Sequence, residues 1–348
     1  MRRYRIGTMD ERKKIAFIVN PISGTHNKEH IVRCILLSID KRKYQTEFLY
    51  TEYAGHATEL ARQKALDGYF AVVAIGGDGT INEIARALVH TQTALGIIPC
   101  GSGNGLARHL QIPLDVRRAA GIIDDGKTDV IDYGKMNGYP FFCTCGVGFD
   151  AFVSLKFSQA GRRGPLAYLE KTLVESLKYQ PETYELVTDG NAASYNAFLI
   201  ACGNASQYGN NAYIAPQADM NDGLLDVTIL EPFTVLDAPA LAFQLFNKKI
   251  NQNSRIKTFR CRRLDIHRKK PGVAHYDGEP VMLGKDITID IMEKGLHVIV
   301  PSKIEMSVRD LAFNALQRAQ DYINGLKQLG EQYVPHRFDR GDTTAGRP

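Results

Sequence analysis

Short apolar runs alternate with stretches of helical spacing along the first third of the chain. The runs read as strands, most of them buried in a parallel sheet, and a helical stretch follows each one. The predicted strands are Lys14–Asn20, Gln45–Tyr50, Ala71–Ile75 and Leu95–Pro99, and the predicted helices are Glu29–Leu37, His56–Leu66, Asn82–Val89 and Leu106–Leu110. This alternation predicts an α/β domain at residues 14–133, built on a doubly wound parallel sheet.

Strand-like runs dominate after Tyr133 and predict a second, mostly antiparallel β-sandwich domain at residues 134–302. Helices are predicted to interrupt this domain at Ala151–Ser158, Leu166–Leu177 and Leu236–Asn247. Its last two strands are predicted at Ile287–Met292 and Leu296–Val300. Apolar residues then recur at helical spacing over Ile304–Leu329. That spacing predicts a C-terminal helix at 303–330 that packs back on the first domain.

Composition narrows the classes of function without selecting one. The chain has 348 residues and a net charge of +5, which is too small to indicate a nucleic-acid partner. No apolar run reaches the length of a membrane span, and no signal peptide is recognisable. Six scattered cysteines favour the reducing cytoplasm. One basic run is a candidate for docking to anionic membrane: Arg260, Arg262, Arg263, His267, Arg268, Lys269 and Lys270.

Three glycine loops each follow a predicted strand of the first domain and precede a predicted helix. They are Asn20-Pro21-Ile22-Ser23-Gly24, Gly76-Gly77-Asp78-Gly79-Thr80 and Gly101-Ser102-Gly103-Asn104-Gly105. Ligands bind at the carboxyl edge of an open α/β sheet, where glycine lets the backbone approach an anion. The set indicates a nucleotide site, with tight turns as the alternative. None of the loops has the P-loop or the dinucleotide-binding spacing.

Carboxylates in two places suit phosphoryl transfer. Asp78, inside the second loop, is expected to hold Mg²⁺ or to take a proton from an attacking hydroxyl. Asp277 and Glu279 flank a glycine after a strand-like run, and on an extended segment they would face the same way. Such a pair suits a general base with Mg²⁺ beside it, while an ordinary Asp-Gly hairpin turn is the alternative.

These motifs resemble the diacylglycerol kinase catalytic domain, which sphingosine and ceramide kinases share. Gly-Gly-Asp-Gly-Thr-Ile-Asn-Glu at 76–83 resembles the family signature. Further ordered matches are Asn20-Pro21 with Ser23-Gly24, Thr51 with Gly55-His56-Ala57, Pro99–Ala107, Gly146–Ala151, Gly203-Asn204, Asn221–Asp226 and Asp277–Glu279. The resemblance covers residues 14–300 and implies a first domain like those of phosphofructokinase and NAD kinase.

The resemblance implies an ATP- and Mg²⁺-dependent kinase that acts on diacylglycerol or a related lipid alcohol. Within it Glu279 corresponds to the base and Asp277 helps to position it or the metal, whereas in sphingosine kinases the base corresponds to Asp78, so both stay open. A structural Mg²⁺ is implied at Asp219, Asp222 and the Leu224 carbonyl, with a solvated turn as the alternative. ATP is expected at Asn20, Ser23, Gly24, Thr51, Gly76, Gly77, Asp78, Gly79, Thr80, Asn82, Glu83, Gly101, Ser102, Gly103 and Asn104.

Other activities of this wider group stay open. A sphingoid-base kinase is the first alternative, although Phe152 stands where sphingosine kinases have an acidic residue. Asp150, near the domain junction, is a candidate contact for the lipid head group. A soluble-metabolite kinase such as NAD kinase and a non-catalytic lipid-binding relative are the remaining alternatives. We expect a cytoplasmic protein that meets its lipid substrate at the membrane surface, and leave a homodimer open.

Overall fold

The computed structural model describes residues 11–24, 27–160, 179–234 and 236–302, all of which lie in one compact unit, Met1–Glu305. The helices predicted at Leu166–Leu177 and at 303–330 lie outside the described residues. The strands are β1 Lys13–Val19, β2 Tyr44–Tyr50, β3 Ala71–Gly76, β4 Ala94–Pro99, β5 Lys127–Met136, β6 Tyr139–Phe141, β7 Thr144–Gly148, β8 Glu182–Thr188, β9 Asn191–Ala197, β10 Leu199–Gly203, β11 Leu225–Leu230, β12 Ile256–Cys261, β13 Arg263–Arg268, β14 Gly272–Tyr276, β15 Glu279–Leu283 and β16 Asp286–Val300. The helices are α1 Lys28–Ser38, α2 His56–Leu66, α3 Asp78–Leu88, α4 Gly105–His109, α5 Val116–Asp125, α6 Phe149–Ala160 and α7 Ala238–Phe246, with a 3-10 turn at Ile250–Gln252.

The first four strands form the parallel sheet that the sequence predicts, and their order is β2-β1-β3-β4. Strands β3 and β4 are buried along their whole length, which explains why their sequences read as continuous apolar runs. Helix α1 packs with α5, and α2 packs with α3. The parallel α/β fold of the first half is therefore confirmed.

A single long strand, β16, continues this sheet into the second half of the chain. It pairs with β4 in parallel through Val298 and Leu95, and with β5 and β13 in antiparallel registers. The full order is β2-β1-β3-β4-β16-β13-β8-β9, with β5 and β6 branching from β16. The two strands predicted at Ile287–Met292 and Leu296–Val300 are one strand, whose register shifts between Met292 and Leu296.

The second sheet is antiparallel and has the order β12-β11-β10-β7-β14-β15. Apolar side chains from both sheets meet in one buried cluster, so the two sheets form the expected sandwich. The largest fully buried side chains of that cluster include Tyr184 and Phe141. Within the described residues, no helix is both long enough and apolar enough to span a bilayer.

One glycine in β5 offers a direct test of this packing. Gly134 pairs with Phe141, and a Cβ added to Gly134 would lie well inside van der Waals distance of the buried Phe141 ring. We expect Gly134→Ala to lower the free energy of unfolding by about 1–3 kcal/mol, because the ring has no room to move. Urea unfolding measures this change.

The matched control is Gly121→Ala in α5, where an added Cβ meets nothing within 4 Å. Alanine in a helix should raise the free energy of unfolding there by roughly 0.5–1 kcal/mol. Equal effects of the two substitutions would contradict the packing described for β5 and β6.

Candidate active site

The three glycine loops meet at the carboxyl ends of β1, β3 and β4. A Cβ added to Gly101 would lie only 2.7 Å from the Gly77 Cα, so the second and third loops touch through their backbones. Gly24, which has a positive φ of 61°, leaves no room for a Cβ beside the Cys100 carbonyl. Glycine is therefore required here for close approach between loops, and one edge of the sheet carries all three.

Asp78 joins the second loop to the third. Its two carboxylate oxygens accept hydrogen bonds from the backbone N–H groups of Asn104, at 2.8 Å, and Gly105, at 2.7 Å. A Cβ on Gly103 would lie 2.8 Å from the same carboxylate. Both oxygens of Asp78 therefore help to fix the second loop against the third.

The first loop is fixed to the second by Asn20. Its Nδ2 donates to the Thr80 Oγ1 at 2.9 Å, while its Oδ1 accepts from the backbone N–H of Ile22. The Lys28 ammonium donates to the backbone carbonyl and the hydroxyl of Ser23. Sequence reasoning missed Lys28, which lies at the first position of α1 and brings a positive charge to the loop.

Several residues expected to bind ATP are also buried or hydrogen-bonded within the protein. The Glu83 carboxylate accepts from the backbone N–H of Ala57 at the start of α2, and Asn82 is buried inside α3. Thr51 donates its backbone N–H to the end of β1. The Asn104 amide closes its own loop through two hydrogen bonds to the Gly101 backbone. Their contact with ATP stays a prediction.

The open side of the site lies at the start of α3. Gly77 stands at the N-cap position and has no side chain to cap the helix, so the first N–H groups of α3 are left to a ligand or water. Gly79 is exposed, and a Cβ added there would meet nothing within 4 Å. Ser102 is also exposed. A helix N-terminus with free space in front of it suits a phosphate group.

Asp277 and Gly278 form a hairpin turn between β14 and β15. Their φ angles of 48° and 79° are both positive, and Tyr276 pairs with Glu279 across the turn. The expectation of an extended segment with two parallel carboxylates is therefore wrong, because Asp277 lies in the turn and Glu279 begins the next strand. The two side chains have separate partners within the protein.

The Asp277 carboxylate secures the hairpin to the start of β7. It accepts from the backbone N–H groups of Phe142 and Cys143 at 2.7 Å, and of Thr144 at 3.1 Å. Burial raises the pKa of Asp277 to about 6, although these hydrogen bonds and the charge of Arg86 act in the opposite direction. The turn that presents Glu279 is thus fixed by three hydrogen bonds.

Cys143 lies between the Asp277 turn and the loop that binds Asp78. Its backbone N–H binds Asp277, and its sulfur lies 3.5 Å from the position of a Cβ on Gly105, whose own N–H binds Asp78. Burial, followed by the negative charges of Asp277 and Asp78, raises the pKa of the Cys143 thiol. The hairpin of the second sheet and the glycine loops of the first therefore belong to one site.

Glu279 faces Arg86, which sequence reasoning missed. The Arg86 Nη2 lies 2.9 Å from the Glu279 Oε1, and the guanidinium carbon lies 5.1 Å from the centre of the Tyr276 ring. The Glu279 side chain is 39% exposed, so a substrate hydroxyl has access to it. Arg86 stands eight positions after Asp78 on α3, and that spacing from the loop was the only sequence signal for it.

A buried network supports the hairpin from the other side. The Asp150 Oδ2 accepts from the Tyr208 hydroxyl at 3.1 Å and lies 3.0 Å from the His275 Nε2. The Gly278 N–H donates to the His275 Nδ1, so Nε2 carries the proton that Asp150 accepts. Burial and the Asp150 charge raise the pKa of Tyr208. Asp150, a candidate head-group contact, is thus engaged inside the protein.

The side chains expected to bind a structural Mg²⁺ make hydrogen bonds and an ion pair within the protein. The Asp222 Oδ1 accepts from the Leu224 backbone N–H, and the Asp219 carboxylate accepts from a backbone N–H of its own turn. The Arg260 guanidinium lies 3.5 Å from Asp222 and 3.1 Å from Asp226. Among the described residues, no three His, Cys, Asp or Glu side chains are grouped as they are around a metal. The predicted ligand set includes a backbone carbonyl beside two carboxylates, so the structural Mg²⁺ at this turn stays a prediction.

Comparison with known proteins identifies both halves of the chain. Residues 14–136 match the model of the diacylglycerol kinase catalytic domain, and residues 143–300 match that of the YegS C-terminal NAD kinase beta sandwich-like domain. The diacylglycerol kinase of Bacillus subtilis (strain 168) is 29% identical over 304 residues, which cover 84% of this chain and 97% of the relative.

Two further proteins are similar. The diacylglycerol kinase of Staphylococcus aureus (strain bovine RF122 / ET3-1) is 30% identical over 224 residues, which cover 63% of this chain and 71% of the relative. The crystal structure of a diacylglycerol kinase from Bacillus anthracis str. Sterne superposes with a TM-score of 0.65 at 20% identity, covering 83% of this chain and 97% of that one. This last similarity shows the fold.

Substitution of Asp78 tests its assignment as the link between loops. Asp78 uses both carboxylate oxygens as acceptors, whereas an asparagine side chain has only one oxygen. Asp78→Asn therefore leaves one backbone N–H without an acceptor, and the other N–H donates to a neutral oxygen in place of a charged one. We expect the free energy of unfolding to fall by about 1–3 kcal/mol. The control is Glu83→Gln, which keeps the one acceptor oxygen that Ala57 needs and should change stability by less than about 0.5 kcal/mol. Equal stability of Asp78→Asn and the wild-type protein would contradict the assignment.

Proposed function

The chain belongs to the diacylglycerol kinase family of phosphotransferases that act on an alcohol group, and we propose that it transfers the γ-phosphoryl group of ATP to the hydroxyl of a lipid alcohol. Diacylglycerol is the proposed acceptor, because the relatives reported above carry that name. The observation that carries the proposal is the meeting of the glycine loops with the Asp277–Glu279 hairpin around Cys143.

The proposed ATP site is the open side of the glycine loops. The phosphates would bind at the N-terminus of α3, where Gly77 leaves the first N–H groups without a side-chain cap and Gly79 leaves free space. Lys28, beside the first loop, contributes positive charge. Mg²⁺ arriving with ATP would neutralise part of the phosphate charge. In the proposed arrangement the γ-phosphoryl group would extend along α3, toward Arg86 and Glu279.

Glu279 is the better candidate for the general base. Its carboxylate is partly exposed and has one charged partner, whereas both Asp78 oxygens accept backbone hydrogen bonds. A base must be able to approach the hydroxyl whose proton it takes. We therefore propose that Glu279 accepts the proton of the lipid hydroxyl, that Asp277 fixes the turn that presents it, and that Asp78 shapes the ATP site.

An apolar region beside the hairpin supports a lipid acceptor. Phe149, next to Asp150 in α6, contacts Phe198 at 4.6 Å between ring centres and packs against a separate buried apolar cluster. Helix α7 packs on this cluster through Leu241 and leaves Phe243 46% exposed. Exposed large apolar side chains are typical of surfaces that bind apolar ligands. We propose that the acyl chains of the acceptor contact this region.

The basic run of the second domain does not support membrane docking. Arg260, Arg262, Arg263 and His267 each lie beside an acidic side chain of the protein. Arg268 is buried and donates to four backbone carbonyls. Most of the positive charge in the run is therefore neutralised or buried, and we do not assign the membrane contact to it.

Purified protein with ATP, Mg²⁺ and a panel of detergent-dispersed acceptors tests the proposal. We expect phosphorylated product from diacylglycerol, less from a sphingoid base, and none from NAD. Glu279→Gln should reduce kcat by at least about 100-fold, because loss of a general base costs that much. Product is measured by transfer of the labelled γ-phosphate.

The outcomes separate the alternatives. If a sphingoid base is the preferred acceptor, the protein is a sphingoid-base kinase. If the protein forms NADP from NAD and ATP, its substrate is a soluble metabolite and not a lipid. No product from any acceptor would reject the kinase proposal. Full activity of Glu279→Gln would reject Glu279 as the base.

A further inference from the structure

Arg86 connects the two halves of the site through a contact that leaves part of its hydrogen-bonding capacity unused. The Nη2 atom lies 2.9 Å from the Glu279 Oε1, but its N–H bonds do not point at that oxygen. Both Nε and Nη2 are shielded from solvent, and neither has a hydrogen-bond acceptor among the described residues. Shielded donors without an acceptor cost free energy, so a ligand that supplies acceptors would be favoured.

The surroundings of Arg86 hold its guanidinium in one orientation. Its carbon lies 5.1 Å from the centre of the Tyr276 ring, and that ring stacks on Tyr139 at 5.0 Å with an angle of 17° between the planes. Stacking on an aromatic face restricts the planar group and leaves its N–H edge to form hydrogen bonds. The side chain is therefore preorganised for an oxygen-bearing anion.

The position of Arg86 on α3 indicates that the anion bound by its guanidinium is a phosphoryl group. It follows Asp78 by eight residues, or about 12 Å along the helix axis. Helical side chains point back toward the N-terminus, which is the end that faces the proposed phosphate site. An extended arginine side chain covers much of that distance. A phosphoryl group that reaches from the start of α3 toward Glu279 would pass the guanidinium.

We propose that Arg86 is a catalytic residue that binds the oxygens of the phosphoryl group during its transfer. The role rests on the proposed kinase function. In the protein without ATP, Arg86 pairs with Glu279, as observed. When ATP binds, the γ-phosphoryl oxygens provide the acceptors that Nε and Nη2 lack, and Glu279 is released to the lipid hydroxyl. Arrival of the phosphate and availability of the base are thereby coupled.

The step balances as follows. The lipid hydroxyl gives its proton to the Glu279 carboxylate, and its oxygen forms a bond to the γ-phosphorus. The bond between the γ-phosphorus and the bridging oxygen breaks, and ADP leaves with the electron pair. Arg86 stays protonated throughout and stabilises the negative charge on the transferring group. The products are the lipid phosphate and ADP.

Kinetics of Arg86→Ala and Arg86→Lys, assayed with ATP and the acceptor that the wild-type protein uses, test this role. We expect Arg86→Ala to reduce kcat by about 10³-fold, with the KM for ATP changed by less than about fivefold. Arg86→Lys should be intermediate, because an ammonium keeps the charge without the planar fork. The control is Arg62→Ala, an exposed arginine on α2, which should keep wild-type kcat.

Chemical rescue distinguishes this role from a structural one. Methylguanidinium added to Arg86→Ala should restore activity by at least about tenfold, and should not restore Glu279→Gln. Thermal unfolding of Arg86→Ala should remain cooperative and close to that of the wild-type protein. If Arg86→Ala fails to fold, the kcat of Arg86→Lys decides, and a value within about threefold of wild type overturns the role.

The remaining outcomes are equally decisive. Wild-type activity in Arg86→Ala overturns the role and leaves the proposed function intact. Loss of kcat in folded Arg86→Ala without rescue by methylguanidinium also overturns it, because the residue would then act only through the structure. A wild-type protein that phosphorylates no lipid rejects the proposed function, and this role with it.

Discussion

The hydrogen bonds to the Asp78 carboxylate are the constraint on which the nucleotide edge depends. Two backbone N–H groups at the start of α4 donate to it, so the second and third loops have one fixed arrangement. The glycines make this possible, because a side chain on Gly101 or Gly103 would collide with the second loop. With the carboxylate turned toward the third loop, the N-terminus of α3 is left for phosphate. A residue that sequence motifs associate with chemistry thus acts first on geometry.

The rest of the site follows from this arrangement. Gly105, whose N–H binds Asp78, lies against Cys143, and the Cys143 backbone binds Asp277. The hairpin that begins with Asp277 presents Glu279 to Arg86, which belongs to the helix that Asp78 begins. The contacts therefore form a closed ring through both sheets. Because β16 also runs through both halves of the fold, the proposed base and the proposed phosphate site are parts of one framework.

Much of this could be predicted from the sequence, and the failures have physical causes. Apolar runs predicted the parallel strands because those strands are buried on both faces. Strand β16 was divided in two because the polar segment around Lys294 interrupts its pattern; Lys294 has a positive φ of 49°, and its N–H binds the Asp132 carboxylate. The partners of Asp78, Asp277 and Arg86 depend on contacts between distant segments, which no local pattern reports. The domain limits and the ATP residues stay predictions.

Binding of a non-hydrolysable ATP analogue to Asp78→Asn and Glu279→Gln, measured by calorimetry, is the most direct test of this account. Asp78 is assigned to the structure of the ATP site and Glu279 to proton transfer. Asp78→Asn should therefore bind the analogue at least about tenfold more weakly than the wild-type protein, a loss of about 1.4 kcal/mol, while Glu279→Gln, which removes the carboxylate that competes for Arg86, binds it at least as tightly as the wild-type protein. Wild-type affinity in Asp78→Asn, together with lost turnover, would contradict the account and make Asp78 the residue that acts in the chemical step.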